Sequence, residues 1–195
     1  MSKIVTVDGL EVALRPVSQT QIQRINATVE TQWRKRGEPI DPPTYTITTA
    51  TGETETHAHD ADSVATGTDE ERAAWEAYQT ARAEMEAEQR LRTTKFLLLN
   101  GIVGHEPTEE WAEEQAYWGL EVPEDPRERR LAYLQAEVLK TPQDTIDAMG
   151  EIMRLSMAGA PQEVRDSVEA YFRRAVEGEA PAGGGAQSSG GQLEL

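Results

Sequence analysis

Thr68-Asp69-Glu70-Glu71-Arg72-Ala73-Ala74-Trp75-Glu76-Ala77-Tyr78 decides the fold class of this chain. Thr68 stands three residues before Glu71, the spacing at which a hydroxyl and a carboxylate satisfy each other's backbone N–H groups at a helix start. Asp69, Glu70 and Glu71 fill the first turn, where the positive end of the helix dipole favours acids. The spacing predicts a long helix whose first turns carry Trp75, Tyr78 and Met85 as an apolar stripe. Over residues 79–95 it is polar nearly all round, with Glu86–Arg90 and Glu88–Arg92 at the supportive i,i+4 spacing. Such a helix bridges solvent, waits for a partner, or packs only at its ends. It runs into the apolar residues 96–103, which are assigned to the core.

Toward the C-terminus the sequence stays helical. Trp111 and Trp118 share one face of a short acidic helix ending near Gly119. Asp125-Pro126-Arg127-Glu128 sets a cap, an N1 proline and an N3 acid in order, and the helix it opens buries Leu131, Leu134 and Val138. Thr141-Pro142-Gln143-Asp144 repeats the device before Ile146, Met149, Met153 and Met157. Gly159 stops that helix, and Pro161 opens a last one with Val164, Val168, Phe172 and Val176 in line. After Gly178 the chain turns to Gly, Ala, Ser and Gln. Such a composition cannot bury enough surface to offset its ordering entropy, so residues 178–195 are expected to be disordered.

Toward the N-terminus lie two hairpins. Residues 4–7 and 10–14 flank Asp8-Gly9, a dipeptide that suits a two-residue turn. Ser18 caps a helix with Ile22, Ile25, Val29 and Trp33 at helical spacing, and Gly37 ends it before Pro39, Pro42 and Pro43. The threonine-rich alternation over 44–58, with a turn around Gly52, reads as a second hairpin, too small to be stable alone. Residues 60–68 read as a loop. The expected fold is therefore mainly α (α+β). N-terminal hairpins at 4–14 and 44–58 precede a bundle of about five or six helices, all in one domain over 1–177, with a disordered tail.

Composition narrows the function. The chain has 195 residues, with 19 Lys+Arg against 35 Asp+Glu and a formal net charge of −16. That excess disfavours binding nucleic acid, which runs on cations replacing phosphate counterions; an acidic mimic of DNA would need its charge clustered on one face. There is no cysteine, so disulfides, thiolate metal sites and thiol nucleophiles are excluded. No signal-peptide core and no apolar run long enough to span a bilayer is present, so the expectation is a soluble, cytoplasmic chain without membrane partners.

Catalytic patterns are missing. His57-Ala58-His59-Asp60-Ala61-Asp62 puts two imidazoles on one strand face near carboxylates, yet it fits no metal signature; a polar hairpin end is the simpler account, and no metal or cofactor is expected. The acids group in first turns of helices, which the dipole explains. No phosphate loop or nucleophile elbow occurs. Two apolar sets remain as candidates for binding partners. Met149, Met153 and Met157 lie along one helix face, soft side chains of the kind found in adaptable grooves and equally in cores. Trp75, Tyr78, Trp111 and Trp118 sit in acidic helices, where aromatics serve either as interface anchors or as core.

Pro42-Pro43-Thr44-Tyr45-Thr46-Ile47-Thr48-Thr49-Ala50-Thr51-Gly52-Glu53, the stretch from Thr68 to Tyr78, and Glu137-Val138-Leu139-Lys140-Thr141-Pro142 with Ile152-Met153-Arg154-Leu155-Ser156 resemble small proteins of tailed bacteriophages. The chain over residues 44–175 is similar to tail assembly chaperones, or related tail-module proteins, of long-tailed phages. The resemblance implies a non-enzymatic protein of the host cytoplasm that coats the helical tape measure protein and hands it to tail tube subunits. Some members carry a frameshifted C-terminal extension. A permanent component of the tail or head–tail connector is the alternative it allows, and oligomeric state stays open. Residues 4–14 lie outside the resemblance.

Overall fold

The computed structural model describes residues 2–7, 10–49 and 51–158. Met1–Ala158 is one compact unit; the helix expected from Pro161, the end of the domain at 177 and the tail 178–195 lie outside the described residues. Two strands, β1 (Lys3–Val7) and β2 (Leu10–Leu14), pair antiparallel with Val5 opposite Val12, the hairpin expected at 4–14. Alternation along β2 sends Val12 and Leu14 into the core and Glu11 to solvent. Helix α1 (Gln19–Arg36) starts on Ser18, whose hydroxyl accepts from the Gln21 N–H. It ends on Gly37 at φ 79°, where a Cβ would be strained.

Strands β3 (Thr44–Thr48) and β4 (Thr54–Ala58) form a separate two-stranded sheet with Thr46 opposite Thr56. Two strands alone are marginal in water, and this pair is tied down at its base. The His59 N–H donates to the Pro43 carbonyl at 2.8 Å, and the buried His59 ring leans on Tyr45 at 4.7 Å between centroids. Residues 60–68 are not all loop. Helix α2 (Ala61–Ala65) occupies part of them, because Asp60 accepts from the Ser63 N–H at 2.8 Å while the Ser63 hydroxyl accepts from the Asp60 N–H at 2.9 Å.

Helix α3 (Asp69–Gly101) is the long helix expected from the Thr68 box. The Thr68 N–H, donating to Glu71 at 2.6 Å, holds that carboxyl below its ordinary value. The polar middle of α3 corrects the sequence picture, for it packs along its length against α1. Ala81 and Met85 join Val29, Trp33 and Ile40 in one buried cluster. Polar groups complete the seam. Trp33 Nε1 donates to Glu88 Oε2 at 2.7 Å, Gln89 Nε2 to the Asn26 carbonyl at 3.0 Å, and the Thr93 hydroxyl to Asn26 Oδ1 at 3.2 Å. Of the two anticipated i,i+4 pairs, Glu88–Arg92 forms, whereas Glu86 pairs with Arg82 rather than Arg90.

At its end α3 turns into β5 (Ile102–Val103), which adds to β2 with Ile102 opposite Leu14 and gives the order β1-β2-β5. The last turn of α3 has no basic residue of its own, so distant arginines serve its carbonyls. The Arg15 N–H donates to Gly101 at 2.8 Å and Arg15 Nε to Asn100 at 2.6 Å. The Arg130 guanidinium reaches the carbonyls of Leu99, Ile102 and Gly104 at 2.7, 3.0 and 2.9 Å. Its Nε lies 2.8 Å from Glu106 as an ion pair, off the line of the N–H bond.

The remaining described helices are α4 (Glu109–Tyr117), α5 (Pro126–Tyr133), which runs on as a π turn over Leu134–Val138, and α6 (Pro142–Ser156). Asp125 and Thr141 cap α5 and α6 as their motifs predict. Leu14, Leu97, Leu98, Ile102, Leu134 and Ile152 are fully buried, each contributing about 1.5–3 kcal/mol. The fold is mainly helical with two small antiparallel sheets, the class expected.

Candidate protein-binding surface

The sequence-selected residues part company in the structure. Met149, Met153 and Met157 are all buried, along the face of α6 that also carries the fully buried Ile152. Core packing accounts for their spacing. Trp111 is buried too: its indole donates to Glu137 Oε1 at 3.2 Å and its ring meets Tyr133 edge-on at 5.3 Å. Trp75 and Tyr78 are half-buried on α3, with ring centroids 5.2 Å apart. Trp118 alone of the set is exposed, at 68%.

Trp111 is buried and Trp118 exposed, although both were read onto one helix face; α4 ends at Tyr117, Trp118 is its cap, and the chain turns through Gly119 at φ 72°. Two bonds close this turn. The Gly119 N–H donates to the Ala116 carbonyl and the Leu120 N–H to Gln115, both at 3.0 Å. In such a cap the residue after the glycine usually rests on an apolar side chain of the helix's last turns. Here those positions are Gln115 and Glu114, so the last turns of α4 offer Leu120 no apolar side chain there. Leu120 is 56% exposed and Tyr117 81% exposed, and Tyr117 stacks edge-on against Trp118 at 5.2 Å. Trp118 was selected from the sequence, and Tyr117 and Leu120 complete an exposed apolar set at the same helix end; the polar residues Glu114 and Gln115 before the glycine are the signal for Leu120.

The chain past this point is held in place. Arg129 Nε donates to the Pro123 carbonyl at 2.9 Å, and Asp125 Oδ1 accepts from the N–H groups of Arg127 and Glu128 at 2.9 and 3.0 Å. The stretch that carries the apolar tip is acidic throughout. Between Glu106 and Asp125 there are eight acidic residues and no lysine or arginine. Glu109, Glu110, Glu113, Glu114, Glu121 and Glu124 are exposed, and no ion pair engages them among the described residues.

His57 and His59 lie on and just past β4. His57 is exposed on β4 with Glu55 at 3.2 Å, while His59 packs on Tyr45 with Ser63 Oγ at 3.3 Å and Glu71 at 3.8 Å. Among the described residues no three histidine or acidic side chains are grouped as metal ligands, and no helix is long and apolar enough to cross a membrane. Neither family models, curated proteins nor solved structures give a match to this chain.

Proposed function

We propose that this chain is a tail assembly chaperone of a long-tailed bacteriophage. It works without catalysis in the host cytoplasm, binding the tape measure protein and passing it to tail tube subunits. The resemblance over residues 44–175 supplies the class. The observation that carries the binding role is the exposed Tyr117–Trp118–Leu120 tip. Aromatic anchors on a fixed backbone are the groups that dominate protein interfaces, and an ordered base lowers the entropy lost on docking.

Co-expression of the tagged chain with the tape measure candidate of its own genome tests this. The expected result is a partner that stays soluble and co-elutes, with capture reduced by Trp118→Ala, and virions that lack the chain. Failure to co-elute when both proteins are made rejects the chaperone. A stoichiometric band in purified particles would put a structural tail or connector subunit in its place.

A further inference from the structure

We infer that the Tyr117–Trp118–Leu120 tip receives a basic amphipathic helix, in which lysines or arginines flank an apolar stripe. This rests on the tip being the docking surface named above, and adds the chemistry of what docks there.

Three observations choose that occupant. The first is charge: six exposed glutamates, with no ion pair among the described residues, lie within nine residues of Trp118 in the chain, in a stretch with no lysine or arginine from Glu106 to Asp125. Complementary charge around an apolar anchor selects a cationic partner and repels an acidic one. The second is the helix end itself. Trp118 caps the C-terminus of α4, whose last turn holds no basic residue, in contrast to α1, α5 and α6. Its negative pole is left for a cation from outside, and the faces of Tyr117 and Trp118 are themselves cation acceptors. The third is the backbone. The N–H groups of Gly119 and Leu120 are used in closing the helix, so an extended peptide finds no open edge there. Recognition falls to side chains, as it does when a helix docks.

The same charge argues against a second copy of this chain. Two copies meeting tip to tip would bring both sets of glutamates together, on molecules that each carry −16.

The test uses the full chain and three labelled synthetic helical peptides. One sets leucines and lysines at i,i+3/i+4 spacing, one replaces the lysines by glutamates, and one replaces the leucines by glutamines. Fluorescence anisotropy should show binding of the Leu/Lys peptide alone. Trp118→Ala should weaken it by about tenfold or more. Glu113→Gln with Glu114→Gln should weaken it by about threefold at ~0.05 M salt and less at ~0.3 M. Both variants alter exposed positions, and circular dichroism checks that they keep the native fold.

Equal binding of the leucine-free peptide, or binding indifferent to Trp118→Ala, would overturn the inference. So would a concentration-dependent dimer that Trp118→Ala abolishes. Trp118-dependent capture of the tape measure candidate with no peptide bound leaves the docking tip standing and sinks the basic helix. Trp118-dependent peptide binding without capture does the reverse, keeping the chemistry and rejecting the chaperone.

Discussion

Gly101 and Ile152 meet so closely that a Cβ on Gly101 would lie 2.5 Å from Ile152 Cδ1 and 2.7 Å from both Cγ atoms. This is where the end of α3 crosses α6. Isoleucine is stiff about its first side-chain torsion, so it cannot swing aside. Gly101→Ala gains about 0.5–1 kcal/mol in backbone terms but overpacks the crossing. A net loss of about 1–3 kcal/mol is expected in urea unfolding. Ile152→Ala opens a cavity at a cost of about 2–5 kcal/mol, and in that background Gly101→Ala should cost nothing. An undiminished cost in the double variant would place the strain elsewhere.

Trp33 and Glu88 form the polar clasp of the α1–α3 seam. Glu88 is held below its ordinary carboxyl range first by the indole N–H and then by Arg92 and Arg36. Trp33→Phe keeps most of the buried ring and removes the donor. Because Glu88 retains its arginines and partial access to water, the loss should be about 1–2 kcal/mol. Adding Glu88→Gln to Trp33→Phe should then change little further. Additive costs for the two substitutions would show that they act independently.

Acid should loosen β1 from α6. Glu151 sits 2.7 Å from Lys3 and 2.6 Å from Arg154, and its carboxyl is lowered from 4.5 to about 2, chiefly by the Arg154 hydrogen bond. A depressed carboxyl stabilises the fold fully above its unfolded value, and that contribution is lost as pH falls from 4.5 through about 2. Both cations are half exposed, so solvent reduces the pair to about 1 kcal/mol. Glu151→Gln should be less stable than wild type by that amount at pH 7, and the gap should close by about pH 2. A gap constant with pH would assign the loss to packing.

What the sequence disclosed was local. The boxes at Thr68 and Thr141 and the Asp125-Pro126 start each lie within four residues, and each starts the helix it predicts. Asp60 and Ser63 use the same device with a serine in place of the usual Glu or Gln, so α2 was hidden. What stayed hidden otherwise was long-range. Nothing near Ile102 announces that it pairs with Leu14. The α1–α3 seam runs through Ala81, too small to mark a stripe, and through polar partners that look solvated in sequence. At the candidate site, heptad spacing put Trp111 and Trp118 together, but it could not say that Trp111 is buried and that Trp118, at the cap of α4, is exposed. The methionine stripe was legible as a face of α6; periodicity could not say what covers it.

That ambiguity yields a direct contrast between two substitutions. Met153 and Trp118 were equivalent candidates by chemistry, but Met153 is 7% exposed and Trp118 is 68% exposed. Met153→Asp would bury a carboxylate with no partner, which costs several kcal/mol whether the group stays charged or takes up a proton. Its thermal midpoint should fall steeply, and any loss of partner binding would follow from unfolding. Trp118→Asp places its charge in water and should leave stability within about 0.5 kcal/mol. Binding should nevertheless fail, because the anchor is gone and one more acid faces the partner. A Met153→Asp protein that melts like wild type would show that the α6 face is open to solvent, and would return the methionines to the list of partner contacts.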